Sequence, residues 1–146
     1  DKLPLRWAWI RQGYEQHFTD FTDERWQEAL ARIHPTSDLT LAVSRADIVL
    51  EAVPESLDVK RETWQAVSEL IPADALLASN TSQLLPSEIA PATGRSEHFV
   101  AMHYANRIWS HPLTEVMGTP TTDPRYIKGA LQFAAETGTY PFFINT

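Results

Sequence analysis

The chain has 146 residues, a hydrophobic content of 43%, a charged content of 21% and a formal net charge of −7. These values fit one globular domain, and an acidic balance with no basic cluster argues against a nucleic-acid or anionic-membrane partner. No apolar run approaches the roughly 20 residues that cross a bilayer. Because there is no cysteine, disulfides and thiolate metal sites are excluded, which is consistent with a cytoplasmic location.

The first 33 residues are predicted to form two helices. Apolar side chains recur at steps of three and four on one face of the first helix: Trp7, Ile10, Tyr14 and Phe18. Thr22 is the N-cap candidate of the second helix, whose first turn is acidic. We interpret this aromatic-rich pair of helices as core packing.

From residue 33 onward short strands alternate with helices. The predicted strands span residues 33–36, 47–53, 75–79, 99–104, 113–117 and 140–144. The predicted helices span residues 38–44, 57–71, 86–92 and 123–137, the last closed by Gly138. The segment 47–53, DIVLEAV, has apolar residues at both odd and even positions, as expected of a strand that is covered on both faces. The alternation predicts an α/β fold with a mostly parallel, doubly wound sheet.

A histidine and a glutamate lie on two successive predicted strands. His103 ends one apolar strand, and Glu115 follows twelve residues later on the next. Histidine suits proton transfer near neutral pH, and a neighbouring carboxylate can fix its tautomer and stabilise the imidazolium. The alternative is a structural histidine and an ordinary strand carboxylate, and the spacing alone favours that alternative.

A polar turn, Asn80-Thr81-Ser82, follows the buried strand 75–79. It is predicted to lie at the carboxyl edge of the sheet, where open α/β sheets bind ligands. The alternative is a helix cap or Asx turn that serves only the backbone. No set of histidines and acidic residues has metal-ligand spacing, so no metal site is predicted.

Four segments together carry a family resemblance: ADIVLEAVPE (46–55), LLASNTSQL (76–84), HFVAMHYANRIW (98–109) and LTEVMGT (113–119). They resemble the NAD-binding domain of the 3-hydroxyacyl-CoA dehydrogenases, and HYANRIW is similar to the bacterial, 3-hydroxybutyryl-CoA-type branch. The resemblance implies a Rossmann-like sheet and NAD-dependent oxidation of 3-hydroxyacyl-CoA to 3-oxoacyl-CoA. It also implies an acyl-CoA substrate and a homodimer in the full-length enzyme.

The resemblance implies a role for each residue of the motifs. His103 would be the general acid/base and Glu115 its partner. Ser82 would hydrogen-bond the substrate oxygen close to the cofactor, and Asn106 matches the asparagine of the family's His-x-x-Asn motif.

The resemblance also implies a set of cofactor-binding residues: Ala52, Val53, Pro54, Glu55, Lys60, Asn80 and Ser82. The first three would form a backbone wall beside the nicotinamide ribose. Glu55 and Lys60 stand five residues apart, as in the family, and would contact the cofactor or CoA. The alternative for this pair is an exposed glutamate at a helix start and a solvated lysine.

The sequence departs from the family at its glycines. They lie at positions 13, 94, 118, 129 and 138, and no G-x-G-x-x-G can be drawn from them. That loop normally holds the dinucleotide at a helix N-terminus. We therefore expect residues 1–146 to be a partial dinucleotide-binding domain, incomplete at its N-terminal edge and without the C-terminal dimerisation domain. Alone it should bind NAD weakly, and the choice between NAD and NADP stays open.

A second departure follows His103. The family usually has Phe-Phe-Asn-Pro there, whereas this chain has Tyr-Ala-Asn-Arg (104–107) and then Ile-Trp (108–109). We infer a reshaped acyl pocket.

Two alternatives for the function remain: a dehydrogenase of a non-CoA 3-hydroxy acid, and a non-catalytic Rossmann-like binding or assembly module. The presence of all four motif residues speaks against the second.

Overall fold

A five-stranded sheet forms the centre of the computed structural model, which describes residues 3–145. The strands lie side by side in chain order: β1 Ile48–Glu51, β2 Leu76–Ser79, β3 Phe99–Tyr104, β4 Leu113–Met117 and β5 Tyr140–Ile144. The pairs β1–β2, β2–β3 and β4–β5 are parallel, and β3–β4 is antiparallel. The predicted α/β fold with a mostly parallel sheet is confirmed.

Six α-helices accompany the sheet in the described residues: α1 Leu3–His17, α2 Asp23–Ala31, α3 Leu39–Val43, α4 Leu57–Val67, α5 Pro86–Ile89 and α6 Pro124–Glu136. The predicted N-cap of α2 is confirmed, because Thr22 Oγ1 accepts from the N–H of Arg25 at 3.2 Å. Gly138, with φ of 84°, provides the left-handed residue that ends α6. Within residues 3–145 we find no helix that is both long and apolar enough to cross a membrane.

Helices cover both faces of the sheet, so two cores form. One core packs α4 and α5 on the sheet: Val43, Trp64, Val67, Ile71, Ala75, Leu77, Ile89, Ala90 and Phe99. The other packs α6 on the opposite face: Leu76, Ala78, Val100, Met102, Val116, Tyr126, Ala130 and Ala134. All four residues of β2 and the first four of β3 are buried. The two strands whose carboxyl ends carry the predicted polar residues are therefore held rigidly from both sides.

Segment 33–36 was predicted as a strand, and this prediction is wrong. These residues form no regular structure and are all exposed. The N–H of Ile33 instead bonds to the carbonyl of Leu30 at 3.0 Å, so the chain continues the last turn of α2. Pro35 follows two residues later and has no N–H to give to a ladder.

The interpretation of α1 and α2 as core helices is also wrong. Their aromatic side chains pack on one another. The ring centroids of Trp7 and Trp26 lie 6.4 Å apart in an edge-on pair, and those of Tyr14 and Phe18 lie 5.0 Å apart in a stacked pair. No residue of α2 is buried, however, and Phe18 is 40% exposed. The two helices form a separate aromatic layer around a groove of about 370 Å³.

Helix α1 touches the β3–β4 loop at Gly13. The ring of Trp109 lies against the helix backbone there, and a Cβ at position 13 would stand 2.6 Å from Trp109 Cδ2. The ring of Trp9 packs edge-on against the same ring, with the two centroids 4.6 Å apart. Glycine leaves room for this contact, so Gly13, together with Trp9, packs α1 against the loop that follows His103.

We predict that Gly13→Ala destabilises the intact protein by about 1–3 kcal/mol, because the Trp109 ring must move away from the new methyl group. The control is Gly129→Ala in the interior of α6, where the added Cβ would meet Leu76 Cδ1 at an ordinary 3.6 Å. That change should stabilise by roughly 0.5–1 kcal/mol. Urea unfolding measures both, and equal stabilisation by the two substitutions would contradict the contact.

Candidate active site

The antiparallel register of β3 and β4 sets His103 directly opposite Glu115. Their side chains leave the sheet on the same face, and His103 Nδ1 lies 3.0 Å from Glu115 Oε2. The side chains are 30% and 38% exposed, so the pair is open to a ligand. A carboxylate at Nδ1 favours the tautomer with the hydrogen on that nitrogen, which leaves Nε2 free to take a proton.

Asn80 ties together the carboxyl ends of three strands. Its Oδ1 accepts from the N–H of Tyr104 at the end of β3, at 2.9 Å, and its own N–H donates to the carbonyl of Glu51 at the end of β1, at 2.8 Å. Ser82, two residues on, is exposed at this edge. The structure thus places the Asn80–Ser82 turn beside the strand that ends in His103 and Tyr104.

Asn106 lies in the loop between β3 and β4 and is exposed. Among residues 3–145 its side chain makes no hydrogen bond, so no hydrogen bond joins it to His103, Glu115 or Ser82. The next residue, Arg107, has φ of 56°. Proline is locked near −65°, so a proline at this position would require a different path of the loop.

Glu55 accepts hydrogen bonds from three successive residues of the turn. Its Oε1 accepts from the Thr81 hydroxyl at 2.5 Å and from the N–H groups of Ser82 and Gln83, both at 2.9 Å. Burial alone would raise the pKa of Glu55. The hydrogen bonds from Thr81, Gln83, Ser82 and Lys60 outweigh burial and lower its pKa from 4.5 to about 2. Glu55 is therefore a charged, fixed part of the site at neutral pH.

Lys60 is buried, with a side chain 1% exposed. Its ammonium lies 2.9 Å from Glu51 Oε1, 3.2 Å from Glu55 Oε2 and 3.4 Å from the Val53 carbonyl oxygen. These three acceptors match its three N–H donors. The alternative of a solvated lysine is wrong, and the contact of Lys60 with cofactor or CoA stays a prediction.

Glu51 is the residue that the sequence analysis missed. It is 6% exposed and contacts both Lys60 and the hydroxyl of Ser79. A signal was present, since Glu51 is the one charged residue between Ile48 and Val53 in an otherwise apolar strand. Buried charges need partners, so this position alone indicates a nearby cation.

The segment 52–54 forms an open shelf next to these charges. Ala52 and Pro54 are exposed and Val53 is half-buried. The segment is therefore accessible at the carboxyl end of β1, and its contact with the nicotinamide ribose stays a prediction. No group of three metal-ligating side chains occurs among the described residues.

A sequence model of one family matches residues 7–146, and its description is 3-hydroxyacyl-CoA dehydrogenase, NAD binding domain. This chain belongs to the 3-hydroxyacyl-CoA dehydrogenase family. The predicted family and its NAD-binding domain are thereby confirmed.

Three similar proteins illustrate the relationship. The fatty acid oxidation complex subunit alpha of Psychrobacter arcticus is 36% identical over 85% of this chain. The human mitochondrial hydroxyacyl-coenzyme A dehydrogenase is 32% identical over 82% of it. A solved diketoreductase structure, described as acting on dicarbonyl compounds, superposes with a TM-score of 0.90 at 41% identity, covering 95% of this chain and 49% of that one. The chain spans 17% and 38% of the lengths of the first two.

For this member of the family we predict a pH-dependent role of Glu55 in stability. Its pKa is lowered in the folded state, so the carboxylate stabilises the fold fully above about pH 4.5, and this contribution disappears as the pH falls toward about 2. Glu55→Gln should therefore cost on the order of 2 kcal/mol at neutral pH and progressively less below pH 4.5.

Urea unfolding of the intact protein at pH 7, 4 and 3 tests this. Glu62→Gln is the matched control, because Glu62 is exposed on the same helix as Lys60 and makes no side-chain hydrogen bond within residues 3–145. A Glu55→Gln penalty that stays constant from pH 7 to 3 would contradict the assignment.

Proposed function

We propose that the protein containing this chain catalyses NAD-dependent oxidation of 3-hydroxyacyl-CoA to 3-oxoacyl-CoA. The observation that carries the proposal is the 3.0 Å contact of His103 Nδ1 with Glu115 Oε2 at the end of β3. The family of the domain supports it, as does the name of the human relative, hydroxyacyl-coenzyme A dehydrogenase.

In the proposed mechanism His103 Nε2 removes the proton of the substrate's C3 hydroxyl, and the imidazolium that forms is stabilised by Glu115. The Ser82 hydroxyl donates a hydrogen bond to the same substrate oxygen as it becomes a carbonyl oxygen. Asn106 would contact substrate or cofactor from the loop, once a ligand fills the space between. When bound, NAD supplies the acceptor of the hydride that leaves C3, so alcohol and oxidised cofactor become ketone, reduced cofactor and one proton.

The cofactor is proposed to lie along the carboxyl ends of β1 and β2. The shelf 52–54 would support the nicotinamide ribose, with Glu55, Lys60, Asn80 and Ser82 around it. Residues 3–145 contain no glycine-rich cradle for the pyrophosphate. A homodimer remains part of the proposal on the strength of the resemblance, and a cytoplasmic location is proposed because the chain has no cysteine.

A second candidate is a dehydrogenase or reductase of hydroxy or dicarbonyl compounds without CoA. Two observations favour keeping it. The diketoreductase is 41% identical to this chain, and the positive φ of Arg107 gives the loop next to His103 a path that proline cannot take. Both bear on the substrate pocket and leave the proton chemistry unchanged.

We predict that the intact protein reduces NAD at least about tenfold more efficiently, as kcat/KM, with 3-hydroxybutyryl-CoA than with free 3-hydroxybutyrate. His103→Gln should lower kcat on the better substrate by about 10²–10⁴-fold, because the proton acceptor is removed. Absorbance of the reduced cofactor measures both rates.

The two parts of this experiment have different meanings. A preference for the free acid would select the second candidate and keep the role of His103. Near-normal turnover in His103→Gln with either substrate would contradict the proposed proton transfer. Glu62→Gln, an exposed change on α4, should leave both rates unchanged.

A further inference from the structure

Glu51 lies where three elements meet at the carboxyl edge of the sheet, and the mechanism above gives it no role. Its Oε1 accepts from the N–H of Val53 at 2.7 Å and from Lys60 Nζ at 2.9 Å. Its Oε2 accepts from the hydroxyl of Ser79 at 2.7 Å. One buried carboxylate therefore joins the segment after β1, the end of β2 and helix α4.

Contacts continue from Glu51 to the turn that carries Ser82. The Lys60 ammonium, held by Glu51, also lies 3.2 Å from Glu55 Oε2. The other oxygen of Glu55 accepts from the Thr81 hydroxyl and from the N–H groups of Ser82 and Gln83. The links to Glu51 and from the turn to Glu55 are hydrogen bonds to a carboxylate, which are stronger than neutral ones. The link between Lys60 and Glu55 is an ion pair.

Stability alone does not account for this arrangement. Burying an ion pair costs desolvation energy that its attraction often fails to recover, and apolar residues of similar volume stabilise at least as well. Here two carboxylates face one ammonium, so the cluster of Glu51, Lys60 and Glu55 keeps a surplus negative charge. Such a network is best suited to fixing the positions of the groups that it connects.

We propose that Glu51 is a positioning residue for the reaction. Through Lys60 and Glu55 it fixes the turn that presents the Ser82 hydroxyl, and through Val53 it fixes the shelf beside the cofactor. The inference rests on the proposed function for its kinetic consequence only. The hydrogen-bond relay itself is a property of the fold and can be tested without turnover.

The first test measures amide hydrogen exchange in the intact protein. Glu51→Gln keeps the size of the side chain but removes the charge that holds the ammonium, and its single oxygen cannot replace both carboxylate oxygens. The Ser82 and Gln83 amides should exchange about tenfold faster in this variant. If they exchange at the wild-type rate, the relay is refuted.

The control for this test is Thr93→Val. It removes a buried hydrogen bond from the Thr93 hydroxyl to the Ala90 carbonyl, 2.7 Å long, in the segment that precedes the amino end of β3. It should leave exchange at Ser82 and Gln83 unchanged, whereas equal acceleration by both variants would refute a specific relay. Ser79→Ala, which removes one donor to Glu51, is the second variant should Glu51→Gln fail to fold, and it should act in the same direction.

The second test is a kinetic double-mutant cycle with Ser82→Ala. Glu51→Gln should lower kcat/KM about tenfold in the native background but only about twofold when the Ser82 hydroxyl is already absent, because a missing hydroxyl cannot be misplaced. The same factor in both backgrounds would overturn the proposal that Glu51 positions the Ser82 hydroxyl. Absence of wild-type turnover on either hydroxy substrate would refute the proposed function, and the exchange experiment would still decide whether Glu51 holds the turn.

Discussion

The antiparallel pairing of β3 with β4 is the constraint on which the candidate site depends. In the other three strand pairs the two strands are parallel, so both strands of a pair end at the same edge of the sheet. Reversal at β4 sets His103 opposite Glu115 and brings a carboxylate to the imidazole across one strand spacing. A one-residue slip in this register would turn the two side chains to opposite faces. The buried neighbours Met102 and Val116, paired in the same ladder, prevent that slip.

A second set of charges organises the other half of the same edge. Glu51, Lys60 and Glu55 link the ends of β1 and β2 with helix α4 and with the turn at Ser82. Asn80 then connects this turn to the end of β3 through the N–H of Tyr104. Hydrogen bonds and one ion pair thus connect the proposed cofactor shelf to the end of the strand that carries His103.

The sequence predicted most of the fold and the central pair of the site. Periodicity and caps located the helices and strands, since Thr22, Asp123 and Gly138 take the positions expected of them. The failures have physical reasons. A helical stripe of aromatic residues indicates one face but does not say what covers it, so α1 and α2 were wrongly assigned to the core. Segment 33–36 was too short to be told from the end of a helix.

The charge network was harder to predict because it depends on segments far apart in the chain. Lysine is rarely buried, and the burial of Lys60 needs acceptors supplied by Glu51, Val53 and Glu55 together. Asn80 bonds to an N–H 24 residues away, which local turn chemistry does not predict. The position of Asn106 in an exposed loop likewise follows from the path of the loop at Arg107 and not from the motif.

The most direct test of the central claim is the tautomer of His103, read from ¹⁵N–¹H correlation spectra of its ring in the intact protein at about pH 8, where imidazole is generally neutral. If Glu115 orients the ring as proposed, the proton is on Nδ1 and Nε2 is bare, ready to accept the hydroxyl proton. Glu115→Gln should weaken that preference. A proton found on Nε2 in the wild-type protein, with Nδ1 bare, would contradict the proposed roles of both residues.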